Sequence, residues 1–231
     1  MFQNSGYYFL LLLAASIAAF WPRYLSKPPA RIDAYTHVHA FAMVAWVVLL
    51  IVQPFLIRWR WRAAHRALGA LSYVVAPAVV VSTVLLAHVR FKVMSPLVFL
   101  GEARNLYLPL SAAALFAIAY IGAIVYRKVM PLHAGFMVCT AFTMIDPVLG
   151  RVLAFYLPPL PHHLYYQAIT YGLADLILLR LIFAPGDDLK SRWALKTMLQ
   201  VSLVAHGLWF TLAQSLAWLP FARWFRGLPL S

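Results

Sequence analysis

The chain has 231 residues, of which 64% are hydrophobic and only 11% are charged. Soluble domains carry about 25% charged residues to keep their surface hydrated, so this composition excludes an ordinary soluble globular protein. The 19 lysines and arginines outnumber the 6 aspartates and glutamates, which gives a net charge of +13 and calls for an anionic partner.

The cations are grouped in short segments between apolar stretches. Arg58, Arg60 and Arg62, for example, alternate with Trp59 and Trp61. Cations beside a membrane span attract anionic lipid head groups, and tryptophan prefers the membrane–water interface. The charge therefore predicts contact with a lipid bilayer and its anionic lipids, and no nucleic-acid partner.

Seven stretches are apolar and long enough to cross a bilayer, which takes about 20 residues at a rise of about 1.5 Å each. In chain order they are residues 7–21, 37–57, 68–88, 107–126, 132–155, 163–183 and 198–219. Prolines or clustered charges fill most of the gaps between them. The pattern predicts an all-α integral membrane bundle of seven transmembrane helices, forming a single domain over residues 1–231.

The first stretch contains small residues of the kind found at signal-peptide cleavage sites. No lysine or arginine precedes it, however, and a secretory signal begins with a basic region. We therefore expect a retained helix in a bacterial inner-membrane protein; six transmembrane helices would remain if the stretch were cleaved. Residues 91–105 mix charged and apolar side chains and fit either a short helix on the membrane surface or a connecting loop.

Two histidines, His65 and His133, begin the third and fifth stretches at the same face of the membrane. Helices that start together can each present an imidazole to a shared gap, and imidazole is a good axial ligand for haem iron. Gly69 and Gly135 follow these histidines and would leave room for a flat macrocycle. The pair predicts bis-histidine ligation of haem b; the alternative is two histidines that are simply solvated at the interface.

Other histidines collect at the opposite face. His39 and His163 could form a second pair of haem ligands there. Alternatively, His39, His88, Asp146 and His163 could bind zinc or iron, which accept nitrogen and carboxylate ligands. No H-E-x-x-H spacing supports a metal hydrolase.

Two carboxylates lie well inside apolar stretches: Asp146, which is followed by Pro147, and Asp175 near the middle of the sixth stretch. Burying a carboxylate in a membrane costs several kcal/mol, and such residues usually face a partner, a cavity or a pathway. The expected partners are Arg151 for Asp146 and, for Asp175, either His206 or a hydroxyl of Tyr171 or Thr211. His206 would lie about ten residues, or ~15 Å, into the last stretch, near the middle of the membrane.

Several short motifs carry a resemblance. The sequence resembles a group of bacterial multi-helix membrane proteins in three features: an H-x-H-A motif at His37 and His39, a glutamine near the end of the same stretch at Gln53, and an H-R-A-L-G motif at His65. This resemblance brings no established activity with it. The chain is more distantly similar to haem-b membrane reductases of the cytochrome b and ferric-reductase type, which place histidine pairs on adjacent helices. That similarity implies haem b and electron transfer.

The sequence thus favours a haem-b electron-transfer protein and leaves two alternatives open. One is a transporter or assembly protein in which Asp146, Arg151, Asp175 and His206 form a buried polar pathway. The other is a metal-dependent membrane enzyme. No motif in the sequence predicts the redox or protein partner of the chain or its oligomeric state.

Overall fold

The computed structural model describes residues 4–160, 162–184 and 188–231, apart from the side chain of residue 163. All regular structure in these residues is helical. The α-helices are α1 (Ser5–Phe20), α2 (Ala34–Arg58), α3 (Arg62–Ala70), α4 (Ser72–Lys92), α5 (Pro96–Glu102), α6 (Tyr107–Val125), α7 (Met130–Phe142), α8 (Ile145–Tyr156), α9 (His163–Ile182), α10 (Leu189–Phe210) and α11 (Leu219–Arg226).

Short polar side chains set the starts of several helices. Asp33 accepts a hydrogen bond from the backbone N–H of Thr36 at 2.9 Å and caps α2. Asp188 accepts one from the N–H of Lys190 at 2.7 Å and caps α10. Such caps satisfy backbone donors that have no partner within the helix.

Among the described residues, five helical segments are long and apolar enough to cross a membrane: Ser5–Leu25, Ala34–Arg58, Arg62–Lys92, Pro96–Val125 and Met130–Tyr156. They correspond to the first five predicted stretches. The two remaining long helices, α9 and α10, are more polar because they contain charged residues such as Asp175, Arg180 and Lys196. Both nevertheless belong to the bundle, since α10 packs on α7 and α9, and α9 packs on α8.

The fifth stretch was predicted as one helix, and the structure divides it into α7 and α8 at Thr143 and Met144. Proline lacks an N–H and its ring clashes with the carbonyl four residues earlier, which for Pro147 is the carbonyl of Thr143. The division therefore lies where this proline requires it. As a result, Asp146 lies in the first turn of α8 rather than deep inside a continuous helix.

The last stretch was predicted over residues 198–219, and this prediction was wrong at both ends. Helix α10 begins at Leu189, behind the Asp188 cap, and ends at Phe210. The chain then turns, with extended backbone at Ser215, before α11 begins. His206 therefore lies four residues before the end of α10 and not near its middle.

The centre of the bundle is packed around large aromatic residues. Trp46 of α2 is fully buried, and its indole N–H donates to the hydroxyl of Thr140 on α7 at 3.2 Å. Its ring meets Phe116 and Tyr120 of α6 edge-on, with centroid distances of 5.0 and 5.5 Å. Large apolar side chains such as Phe41 lie exposed on the outer faces, as expected where lipid replaces water.

The segment that was predicted as a surface helix or a loop contains a helix. Helix α4 continues to Lys92, and the short helix α5 follows after a turn. Arg90, near the end of α4, forms an ion pair with Asp33 at 3.2 Å and thereby joins the end of α4 to the start of α2.

Candidate functional site

Three helices bring ionisable side chains to one place inside the bundle. Asp146 comes from the first turn of α8, Asp175 from α9 and His206 from α10, and all three line one small cavity. We call Asp146, Thr170, Tyr171, Asp175 and His206 the polar cluster. Its members converge because α9 packs against both α8 and α10.

One direct contact in the polar cluster joins Asp175 to His206. The imidazole Nδ1 lies 2.9 Å from Oδ2 of the carboxylate, and the two side chains are only 17% and 13% exposed. The Tyr171 ring stacks on the imidazole at a centroid distance of 3.8 Å, with 10° between the ring planes. The contact predicted between Asp175 and His206 is therefore present, and the stacked tyrosine fixes the imidazole plane.

Asp146 has a different partner from the one predicted. Its Oδ1 accepts a hydrogen bond from the hydroxyl of Thr170 on α9 at 2.5 Å, and it also interacts electrostatically with His206. The Thr170 hydroxyl also lies 3.3 Å from the side-chain oxygen of Gln167, one turn earlier in α9. The imidazole of His206 thus has one carboxylate in direct contact and a second within electrostatic range.

Arg151 forms no direct ion pair with Asp146, although the two charges attract each other electrostatically. Its guanidinium donates to the carbonyl of Pro147 at 2.7 Å and lies over the ring of Phe20 on α1, 4.5 Å from the centroid. Residues five apart on a helix differ by about 140° in direction, so Arg151 points towards α1 while Asp146 points towards α9. Within the described part of the chain, the only acidic side chains with a cationic or imidazole nitrogen within 4.0 Å of a carboxylate oxygen are Asp33 and Asp175.

The cavity beside these groups has a volume of about 30 Å³. That is room for about two water molecules. Asp175 Oδ1 is buried and has no hydrogen-bond partner among the described residues, whereas Oδ2 is bound to His206. Ser111, Thr143 and Ser202 add hydroxyl groups to a lining that is otherwise apolar. The site can hold water or a proton but has no space for a large solute.

Sequence reasoning missed Thr170 and Gln167 as members of this environment. Gln167, Tyr171 and Asp175 are spaced four residues apart in α9, so they lie along one face of the helix. A row of polar side chains in an apolar helix was therefore visible in the sequence. The partner of each one was not, because it depends on how α8 and α10 are rotated against α9.

The predicted haem pair lies elsewhere, where α3 meets α2 and α7 begins. His133 Nδ1 is 2.9 Å from the carbonyl of Ala123, and because a carbonyl can only accept, Nδ1 carries the proton and Nε2 keeps its lone pair. His65 is close enough to interact electrostatically with His133, and its Nδ1 is buried without a partner. Both side-chain polar atoms of Gln53 are likewise buried and unpaired among the described residues.

The glycines beside this pair do not both supply the expected clearance. A Cβ at Gly135 would lie 3.0 Å from Cβ of Ala194 and 3.3 Å from the carbonyl of Ser191, so this glycine allows α7 and α10 to pack closely. A Cβ at Gly69 would make ordinary contact with Gln53, 3.6 Å from Nε2. Gly135 is thus occupied by helix packing and offers no space to a macrocycle.

The histidines at the opposite face have separate partners. His39 Nδ1 lies 3.1 Å from the hydroxyl of Ser82, and His88 Nδ1 lies 2.6 Å from the hydroxyl of Ser231. His163 begins α9, but its side chain lies outside the described residues. No three histidine, cysteine or acidic side chains in the described part of the chain form a group that could hold a metal ion.

Comparison with known proteins gives no further assignment. The chain matches no protein-family model, no curated protein and no solved structure. The resemblance to bacterial multi-helix membrane proteins and to haem-b reductases therefore stays a prediction that rests on the motifs quoted above.

Proposed function

We propose that the chain is a seven-span protein of the bacterial inner membrane whose polar cluster binds and transfers protons, as in a proton-coupled transporter. The observation that carries the proposal is the 2.9 Å contact between His206 and Asp175 beside a cavity large enough only for water. In this proposal, α9 and α10 are the sixth and seventh spans. Their polarity is directed into the bundle, where His206 offsets the charge of Asp175.

The chemistry of the pair suits a proton better than any other cargo. Imidazole is the side chain whose charge changes most readily near neutral pH, and a carboxylate beside it stabilises the protonated form. His206 can take a proton from water in the cavity and share it with Asp175, while Asp146 offers a second acceptor nearby. Intramembrane ionisable residues arranged in this way commonly form proton relays.

The test is proton flux into liposomes that contain the purified protein and a pH-sensitive dye, driven by a potassium gradient with valinomycin. We expect Asp175→Asn to abolish the flux and Asp146→Asn to reduce it, because each substitution removes a proton acceptor at nearly constant volume. Asp33→Asn is the matched control: Asp33 lies at the start of α2, away from the polar cluster, and should leave flux unchanged. Normal flux in Asp175→Asn would refute the assignment.

Haem-b binding is the second candidate function, and the orientation of His133 favours it. A histidine that donates from Nδ1 to a backbone carbonyl holds Nε2 ready as a ligand, an arrangement common among metal-binding histidines. His65 and His133 would hold the iron, and the haem would supply one-electron transfer. The packed Gly135 counts against a macrocycle between α7 and α10, so the group would have to lie on the α2–α3 side, near Gln53.

An ultraviolet-visible spectrum of the purified protein, oxidised and then reduced with dithionite, tests this candidate. Haem b predicts a Soret band with α and β bands that sharpen on reduction, and His65→Ala or His133→Ala should remove them. A colourless protein from cells supplied with haem would exclude this function without affecting the proton-flux result. The metal-enzyme alternative has no comparable observation among the described residues.

A further inference from the structure

A second cavity lies at the surface and shares no lining residue with the cavity of the polar cluster. It is a groove between α5 and α11 with a volume of about 370 Å³, lined by Pro96, Phe99, Leu100, Arg223, Arg226 and Gly227. We call it the α5–α11 groove. Half of its lining is apolar and comes from α5, and the other half carries two arginines and no carboxylate.

One of the two arginines is held firmly at the base of the groove. Arg226 donates to the carbonyls of Met94 and Lys92 at 2.5 and 3.4 Å. Its guanidinium also lies 4.7 Å from the ring centroid of Phe99, a side chain that is only 2% exposed. A guanidinium has five N–H donors, so Arg226 keeps donors free while its position is fixed.

The other arginine is available to a ligand. Arg223 lies one turn before Arg226 on the same face of α11, and its guanidinium forms no hydrogen bond or ion pair with the described residues. Two guanidinium groups on one face form a compact cationic site. Arginine binds phosphate oxygens through two parallel N–H donors, which makes it well suited to a phosphate group.

Exposed apolar side chains occur on the two helices of the groove and in the segment before α11. Leu97 of α5 is 81% exposed, Leu216 before α11 is 87% exposed and Trp224 of α11 is 59% exposed. Large apolar side chains at this density are unfavourable in water and are typical of helices lying in the membrane interface, where cations and tryptophan meet lipid head groups. These features suit a groove at the membrane interface, where the charged head group of a phospholipid meets its acyl chains.

We infer that the α5–α11 groove binds an anionic phospholipid, with the phosphate held by Arg223 and Arg226 and an acyl chain lying over Pro96 and Leu100. The net charge of +13 and the absence of a carboxylate from the lining favour an anionic lipid over a zwitterionic one. The site requires the chain to lie in a membrane, but it is independent of proton transfer by the polar cluster.

The experiment is native mass spectrometry of the full-length protein in detergent, titrated with phosphatidylglycerol or with phosphatidylcholine of the same acyl chains. We expect tighter binding of phosphatidylglycerol and a loss of about fivefold in its affinity for Arg223→Gln, the effect of one interfacial cation. Arg31→Gln is the matched control, because Arg31 is an exposed arginine at the end of a short 3-10 helix before α2 and is absent from the groove lining.

A second variant tests the shape of the groove rather than its charge. Leu100→Trp replaces a half-exposed leucine in the groove with a larger aromatic side chain and keeps both arginines. Because the tryptophan would fill part of the groove, this variant should also weaken phosphatidylglycerol binding. Equal affinity for the two lipids, or unchanged phosphatidylglycerol affinity in both groove variants, would overturn the assignment. Displacement of the lipid by millimolar inorganic phosphate would also overturn it, because the site would then bind soluble phosphate.

Discussion

Close packing of α7 on α10 predicts opposite effects for two glycine-to-alanine substitutions. A Cβ at Gly135 would lie 3.0 Å from Cβ of Ala194 and 3.3 Å from a backbone carbonyl, and neither atom can move without shifting α10. A Cβ at Gly172 in α9 meets nothing within 4 Å. Both changes gain the same helix propensity, about 1 kcal/mol, so their difference isolates the packing cost.

Inserting a methyl group into a packed contact costs about 1–3 kcal/mol. Gly172→Ala should therefore stabilise the protein by up to about 1 kcal/mol, and Gly135→Ala should be less stable than Gly172→Ala by about 1–3 kcal/mol. The free energy of unfolding can be measured for both variants by titration with sodium dodecyl sulfate in mixed micelles. Equal stabilities would refute the close α7–α10 contact described above.

Further predictions concern the Asp33 cap and the buried indole. Although partial burial by itself raises the pKa of Asp33, hydrogen bonds from Thr36 and the charge of Arg90 lower it below its usual value. The capping contribution, about 1 kcal/mol, should be fully present above the unfolded pKa, near 3.9, and lost as the pH falls through the folded pKa. A loss of protection of the Thr36 amide against hydrogen exchange, relative to its intrinsic rate at each pH, would show this, and protection that does not change with pH would contradict it. Thr140→Val should lower the free energy of unfolding by about 1–3 kcal/mol, because the Trp46 indole N–H would be buried without an acceptor. Unfolding titrations followed by tryptophan fluorescence would measure this loss, and a variant as stable as the wild type would argue against the contact.

The helical class and the five segments that are long and apolar enough to cross a membrane were predictable, because apolar runs of about 20 residues carry a strong signal. The extent of α10 was not predictable, because the charged residues Lys190, Arg192 and Lys196 are typical of a loop. In the structure they belong to the first turns of a capped helix. The division between α7 and α8 was not predicted, although Pro147 interferes with a continuous helix at the carbonyl of Thr143.

The candidate site was predicted in part. For Asp175, His206 was one of the predicted partners beside the hydroxyls of Tyr171 and Thr211, and the structure pairs Asp175 with His206. Asp146 was assigned to Arg151 on the same helix, whereas the structure gives it Thr170 on α9. A local pairing can be judged from helical geometry, but a contact between helices depends on their relative rotation, which no spacing in one sequence determines.

The interruption between α7 and α8 gives the cavity a backbone electrostatic field as well as side chains. Helix α7 ends at Phe142 with its carbonyl end towards the break, and α8 starts at Ile145 without a side-chain cap on its first turn. The partial negative charge of one helix end and the partial positive charge of the other therefore meet at the depth of Asp146. Because these charges belong to the peptide backbone, side-chain substitutions in the lining leave them in place. Protons or cations that enter the cavity would therefore interact with the partial charges of both helix ends as well as with the side chains.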